Sequence, residues 1–185
     1  MENKTVYIKF FAAVDGHTTN TLMNIIDQKA AAGYKKIVLL ISTPGGSVFH
    51  GLSIHNYLTG IPLEIETHNF GSVDSIGVVI FSAGTKRYSA PDARFLLHPV
   101  SVSLTVNTSI EAEKLEEITK GLKIDTENIA AAIAKASNKT KEEIIKVISA
   151  RTTINPEQAR VFGLVHEIKS DLFPAGSEVI SINAS

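Results

Sequence analysis

The stretch Ile37-Val38-Leu39-Leu40-Ile41, broken almost at once by Thr43-Pro44-Gly45-Gly46-Ser47, constrains the fold more than any other part of the sequence. A consecutive apolar run leaves no polar face, so the segment reads as a strand covered on both sides, as in a parallel sheet. The proline and two glycines stop that strand, and the periodicity then becomes helical over Val48–Leu58. Strand, glycine turn and helix is therefore the unit to look for elsewhere. Upstream, Val6–Phe11 reads as a strand and Asp15-Gly16 as a turn. Thr18–Ala32 follows as a helix carrying Leu22, Ile25, Ile26 and Ala30 on one face and ending at Gly33. Downstream come a strand over Leu63–Asn69, a connection over Gly71–Asp74 and a short apolar helix over Ser75–Ala83.

Phe95-Leu96-Leu97 gives another short strand, ended by His98-Pro99 because proline removes an amide donor from the ladder. Ser109–Ala136 reads as one long helix with Leu115, Ile118, Leu122, Ile129, Ile133 and Ala136 at helical spacings, and Thr108 with Glu111 predicts a capping box at its start. Thr140 with Glu143 predicts the same device for a helix over Thr140–Ile148, and Asn155-Pro156 opens a helix over Pro156–Phe162 that Gly163 closes. Val165–Ile168 and Val179–Ile182 read as terminal strands. Alternating strands and helices place the chain in the α/β class.

The 185 residues suit one domain, 1–185, and no internal repeat, charge block or low-complexity linker divides them. Lysine and arginine total 18 against 19 acidic residues, so the chain lacks the basic surplus that nucleic-acid binding exploits. With no cysteine, disulfides, thiolate metal sites and a cysteine nucleophile are excluded, leaving serine, threonine, lysine or a carboxylate for covalent chemistry. The N-terminus passes into the first strand without an apolar leader, and no apolar run approaches the roughly 18 residues of a membrane span. A soluble cytoplasmic protein is the expectation.

Candidate chemistry collects at strand ends. The amides of Pro44-Gly45-Gly46 can face an anion or a developing oxyanion with no Cβ in the way, although the same triplet also serves as a plain turn. Ser75 stands between a strand and a helix, where a hydroxyl can be exposed beside amide donors; an ordinary N-cap has the same spacing, and the Gly-x-Ser-x-Gly pattern fails at Val73. His98, just past a strand, is a candidate general base. His50 and His55 face different directions on one helix, and no His-Glu-x-x-His is present, so neither a metal nor another cofactor is implied.

Taken in order, Ser42-Thr43-Pro44-Gly45-Gly46-Ser47, Gly71-Ser72-Val73-Asp74-Ser75-Ile76-Gly77, Phe81-Ser82-Ala83-Gly84, Tyr88–Arg94 with His98-Pro99, and Asn155–Val165 closely resemble the proteolytic subunit of Clp protease. The resemblance spans roughly Val6–Ile168. It implies a crotonase-like α/β fold of repeated β-β-α units with a protruding handle helix, here within about 100–136. It also implies a serine endopeptidase whose subunits form a homo-oligomeric ring or stacked rings around a chamber that admits peptides or unfolded proteins. Ser75 then matches the nucleophile and His98 the histidine that takes and returns its proton. Ile76 and either Gly45 or Gly46 match the oxyanion hole.

The sequence departs from that family at three places. Counting back from Ala159 puts Arg151 where the family has the triad aspartate, leaving a Ser-His dyad with Thr152 as a polar replacement for the third member. Asp74 sets a negative charge one residue from the nucleophile position. The family's N-terminal extension has no counterpart before the first strand, which argues against docking of an AAA+ unfoldase. Two other readings fit these departures: a catalytically impaired Clp-like scaffold or regulatory subunit, and a crotonase-type acyl-CoA enzyme, since that fold also places backbone oxyanion holes on thioesters.

Overall fold

A computed structural model describes residues 4–103 and 109–183. Their strands form one eight-stranded sheet. The elements follow in order: β1 (Thr5–Phe11), α1 (Gly16–Ala31), β2 (Lys36–Thr43), α2 (Val48–Gly60), β3 (Glu64–Asp74), α3 (Ile76–Ser82), β4 (Lys86–Ser89) and β5 (Arg94–Leu97). Then come α4 (Ala112–Ser137), α5 (Lys141–Ser149), β6 (Thr152–Ile154), α6 (Pro156–Phe162), β7 (Glu167–Ile168) and β8 (Val179–Asn183).

The sheet runs β6-β5-β3-β2-β1-β8, with β4 beside β3 and β7 beside β4. Every pairing is parallel except β5 with β6. The apolar run of β2 is buried from Ile37 to Ile41, as the sequence predicts for a parallel strand covered on both faces. Val6, Ile8 and Phe10 of β1 and Ile65 of β3 join it in the core beneath Leu22 and Ile26 of α1 and Ile54 and Leu58 of α2. Every residue of α3 is buried. Its isoleucines, valines and phenylalanine each contribute about 1.5–3 kcal/mol of hydrophobic stabilisation, which fixes that helix, and the turn before it, against the sheet.

Two expectations are corrected. The strand predicted to stop at Asn69 continues to Asp74, so Gly71–Asp74 is sheet and not connection. The buried Asn69 makes this possible by accepting from the Gly71 N–H at 3.0 Å and donating to the Arg94 carbonyl at 2.8 Å, which supplies partners where the strand bends. Consequently β3 pairs with β4 over 66–69 and with β5 over 72–74. The long helix begins at Ala112 and not at Ser109, behind Glu111, which makes no side-chain cap; Thr108, the other half of the predicted capping box, lies outside the described residues. The boxes at Thr140 and Asn155 are both present. Strands β4 and β6 were not anticipated because each is short and lacks an alternating apolar pattern.

The first half of α4 stands largely exposed, with Leu115 and Ile124 in contact with solvent, while Ile129, Ala130, Ile133 and Ala134 bury its last turns. Arg87 of β4 holds that base in place. Its guanidinium donates to the carbonyls of Gly84, Ala136 and Leu164 at 2.9, 2.6 and 2.7 Å, at the C-terminal ends of α3, α4 and α6. It is buried and forms no ion pair among the described residues, so the negative ends of three helix dipoles compensate its charge. On the opposite face of the sheet, His68 is buried beside Tyr88 and donates from Nε2 to the Lys169 carbonyl at 3.2 Å. Burial, followed by the charge of Lys169, pushes its pKa down to about 4.

Candidate active site

Strands β2, β3 and β5 end side by side, and each delivers one part of the site. Ser75 follows β3 directly and takes φ 58° and ψ −127°, a conformation that L residues rarely adopt. Such backbone costs about 1–3 kcal/mol and persists only where surrounding structure enforces it. The Ser75 N–H donates to the Leu96 carbonyl of β5 at 2.8 Å, and its own carbonyl accepts from the Val78 N–H, so the sheet and α3 grip the residue from both sides. Its hydroxyl has no hydrogen-bond partner among the described residues and is free to act on a ligand. Asp74, whose charge sits one residue away, is held by Arg94 at 2.8 Å and by the Ser72 hydroxyl at 2.9 Å. Its negative charge is thus neutralised by a neighbouring cation, and it does not line the cavity described below.

The turn after β2 brings its backbone against this serine. Gly45 has φ 87°, and a Cβ on it would stand 2.7 Å from the Ser75 Cβ and 2.8 Å from the Asp74 carbonyl oxygen. Gly46 has φ 148°, and a Cβ there would meet the Val14 carbonyl oxygen at 2.3 Å. Both positions therefore exclude any side chain. The two glycines differ in their amides. The Gly45 N–H is engaged by the Thr43 hydroxyl at 3.1 Å, whereas the Gly46 N–H has no acceptor among the described residues. Gly46 is anchored instead through its neighbours, with Val14 N–H donating to the Gly45 carbonyl and Ser47 N–H to the Val14 carbonyl, both at 2.8 Å. The N–H of Ile76, at the first position of α3, is likewise without an acceptor among the described residues.

His98 emerges one residue past the end of β5 and shares with Gly46, Ser75 and Ile76 a cavity of about 80 Å³. The remaining lining is almost wholly aliphatic, including Val48, Leu97, Val100, Ile129, Ile133 and Ile148. The His98 Nδ1 lies 2.8 Å from the Pro99 carbonyl oxygen, and no hydrogen bond joins the imidazole to Ser75. Larger clefts of about 430 and 560 Å³ lie elsewhere on the molecule, and neither contains Ser75 or His98.

Position 151 does not supply a carboxylate. Arg151 is exposed in the turn between α5 and β6, with φ 51°. Thr152 pairs with Leu97, next to His98 in the chain, but its hydroxyl donates to the Val147 carbonyl at 2.9 Å and makes no hydrogen bond to His98. The structure thus brings Ser75, His98, Gly46 and Ile76 to one cavity, sets Gly45 immediately behind Ser75, and leaves Thr152 engaged elsewhere. Sequence reasoning missed Thr43, whose hydroxyl distinguishes the two glycine amides, and the Pro99 carbonyl, a backbone atom that no side-chain motif announces.

A family model described as Clp protease matches residues 3–171. The chain is 30% identical over 161 residues to ATP-dependent Clp protease proteolytic subunit 2 of Corynebacterium efficiens, covering 84% of this chain and 77% of that one. It is 33% identical over 147 residues to proteolytic subunit 3 of Rhodococcus jostii, covering 76% and 69% respectively. A solved structure of a ClpP1 mutant from Listeria monocytogenes superposes with a TM-score of 0.79 over 92% of this chain and 93% of that one, at 23% identity, and establishes the crotonase-like fold. Among the described residues no helix is long and apolar enough to cross a membrane. A family match of this extent settles the relationship: the chain belongs to the Clp protease family and is a Clp-like serine peptidase.

Proposed function

We propose that Ser75 and His98 cleave peptide bonds through an acyl-enzyme, with the N–H groups of Gly46 and Ile76 as the oxyanion hole. The observation that carries this reading is the convergence on one cavity of a free serine hydroxyl held at φ 58° and two backbone amides that lack acceptors among the described residues. Ser75 Oγ attacks the scissile carbonyl carbon while its proton passes to His98 Nε2. The carbonyl oxygen becomes an oxyanion and receives hydrogen bonds from Gly46 and Ile76. Collapse of this intermediate breaks the C–N bond, and His98 returns the proton to the leaving amine. Water, deprotonated by the same imidazole, then attacks the ester, and release of the carboxylic acid regenerates Ser75. Arg94 on Asp74 limits the electrostatic cost of placing an oxyanion near that carboxylate. The aliphatic walls of Val48, Val100, Ile129 and Ile133 suit an apolar side chain next to the scissile bond.

The chain is read as one domain over 1–185, acting in the cytoplasm. Its exposed α4 is the handle through which copies associate into rings or stacked rings around a chamber that admits peptides or unfolded protein. No cofactor enters this mechanism. Intact-mass analysis after treatment with a serine-directed fluorophosphonate, on the unmodified protein and Ser75→Ala, tests the reading. One adduct on the former and none on a folded Ser75→Ala supports it; no adduct on a folded, assembled protein favours a catalytically impaired scaffold.

A further inference from the structure

We infer that the backbone carbonyl of Pro99 performs the orienting task for which position 151 offers no carboxylate, making Pro99 a positioning residue for His98. This rests on the Ser75–His98 reading above. A neutral imidazole carries one N–H, and a peptide carbonyl can only accept. With Nδ1 2.8 Å from the Pro99 oxygen, the proton belongs on Nδ1 and the lone pair on Nε2, the tautomer that a base acting through Nε2 requires. A side-chain amide in that place could offer its NH₂ group and select the opposite tautomer. A carbonyl cannot.

The position of this oxygen is itself restrained. Proline fixes φ of residue 99, so of the two torsions that place this oxygen only ψ is left to vary. Among the described residues no competitor intervenes: no carboxylate lines the cavity, Arg151 is exposed, and the Thr152 hydroxyl donates to Val147. The substitution has a chemical consequence. A neutral carbonyl orients the ring as a carboxylate does but brings a dipole, not a charge, to the imidazolium formed during proton transfer. The Nδ1 tautomer is therefore kept while proton transfer is slower.

The test begins with long-range ¹H–¹⁵N spectra of the full chain labelled at its six histidines, with His98 assigned by loss of its signals in His98→Gln. A neutral His98 protonated at Nδ1 is expected; protonation at Nε2 overturns the inference whether or not Ser75 reacts. The second measurement replaces Val100 with 2-hydroxyisovalerate, turning the Pro99–Val100 amide into an ester whose carbonyl is a weaker acceptor. The Val100 N–H that is lost makes no hydrogen bond among the described residues. Fluorophosphonate labelling of Ser75 should slow about fivefold, the effect of weakening one neutral hydrogen bond. Faster labelling would show that Pro99 holds the imidazole away from the serine, and an unchanged rate would show that it does nothing; either result overturns the inference. Absence of labelling in the unmodified protein would count against the peptidase site, leaving the tautomer to be decided by the spectra.

Discussion

The turns that follow β2 and β3 do the same topological work in opposite ways. Each leads from the C-terminal end of a buried parallel strand into a helix, and each requires positive φ. After β2 the chain uses two glycines, at φ 87° and 148°, and contributes only backbone to the site. After β3 it uses Ser75 at φ 58° and contributes a reactive side chain. Where an amide suffices, the side chain is removed and the backbone relaxes. Where a hydroxyl is needed, the strain is retained and held by the Leu96 carbonyl and the wholly buried α3. A catalytic turn is thus recognisable as one in which the fold tolerates what glycine would have avoided.

The contrast is most easily broken at Gly46. Gly46→Ala drives a Cβ to within 2.3 Å of the Val14 carbonyl oxygen, so thermal denaturation should show a loss of roughly 3 kcal/mol or more. Retention of both stability and labelling would mean that the turn is more pliable than its geometry implies.

Comparing the turns at different pH requires a fold that holds, and His68 sets that limit. Its folded pKa of about 4 lies below the ordinary 6.5, so the unfolded chain binds the proton more readily. Stability should therefore fall as pH drops from about 6.5 towards 4, by on the order of 3 kcal/mol. His68→Leu should flatten that part of the stability curve; an unaltered acid limb in this variant would assign the loss to other groups.

Ser75→Gly sharpens the comparison by making the two turns alike. Since the Ser75 hydroxyl has no partner among the described residues, the variant should unfold with about 1 kcal/mol more stability while losing all labelling. A destabilised Ser75→Gly would show that the serine side chain supports the fold. Arg151→Gly is the smallest step. It relieves φ 51° at an exposed residue and should stabilise by about 0.5 kcal/mol without altering the labelling rate, as compared by denaturant titration and a labelling time course.

The sequence made the glycine turn and its strand legible because an all-apolar run and a Pro-Gly-Gly break are local signals. The caps at Thr140 and Asn155 were legible for the same reason. The bend of β3 was not, because what carries the strand past Gly71 is Asn69, whose amide reaches a carbonyl 25 residues away. Ser75, His98 and Ile76 were identified from ordered motifs, whereas the choice between Gly45 and Gly46 depended on a Thr43 hydroxyl contact that spacing does not reveal. The environment of His98 was the least legible part, since its nearest acceptor is main chain.

Arg87 leaves a last consequence for how the molecule yields. Three of its partners are main-chain carbonyls, which have no proton to gain, but another is the imidazole of His166, with Nε2 3.0 Å from the guanidinium. Burial, followed by the charge of Arg87, holds the His166 pKa below its ordinary value, so the unfolded chain takes up that proton more readily than the folded one. As pH falls, the knot at the ends of α3, α4 and α6 should therefore loosen at this histidine, and the mooring of the long helix with it.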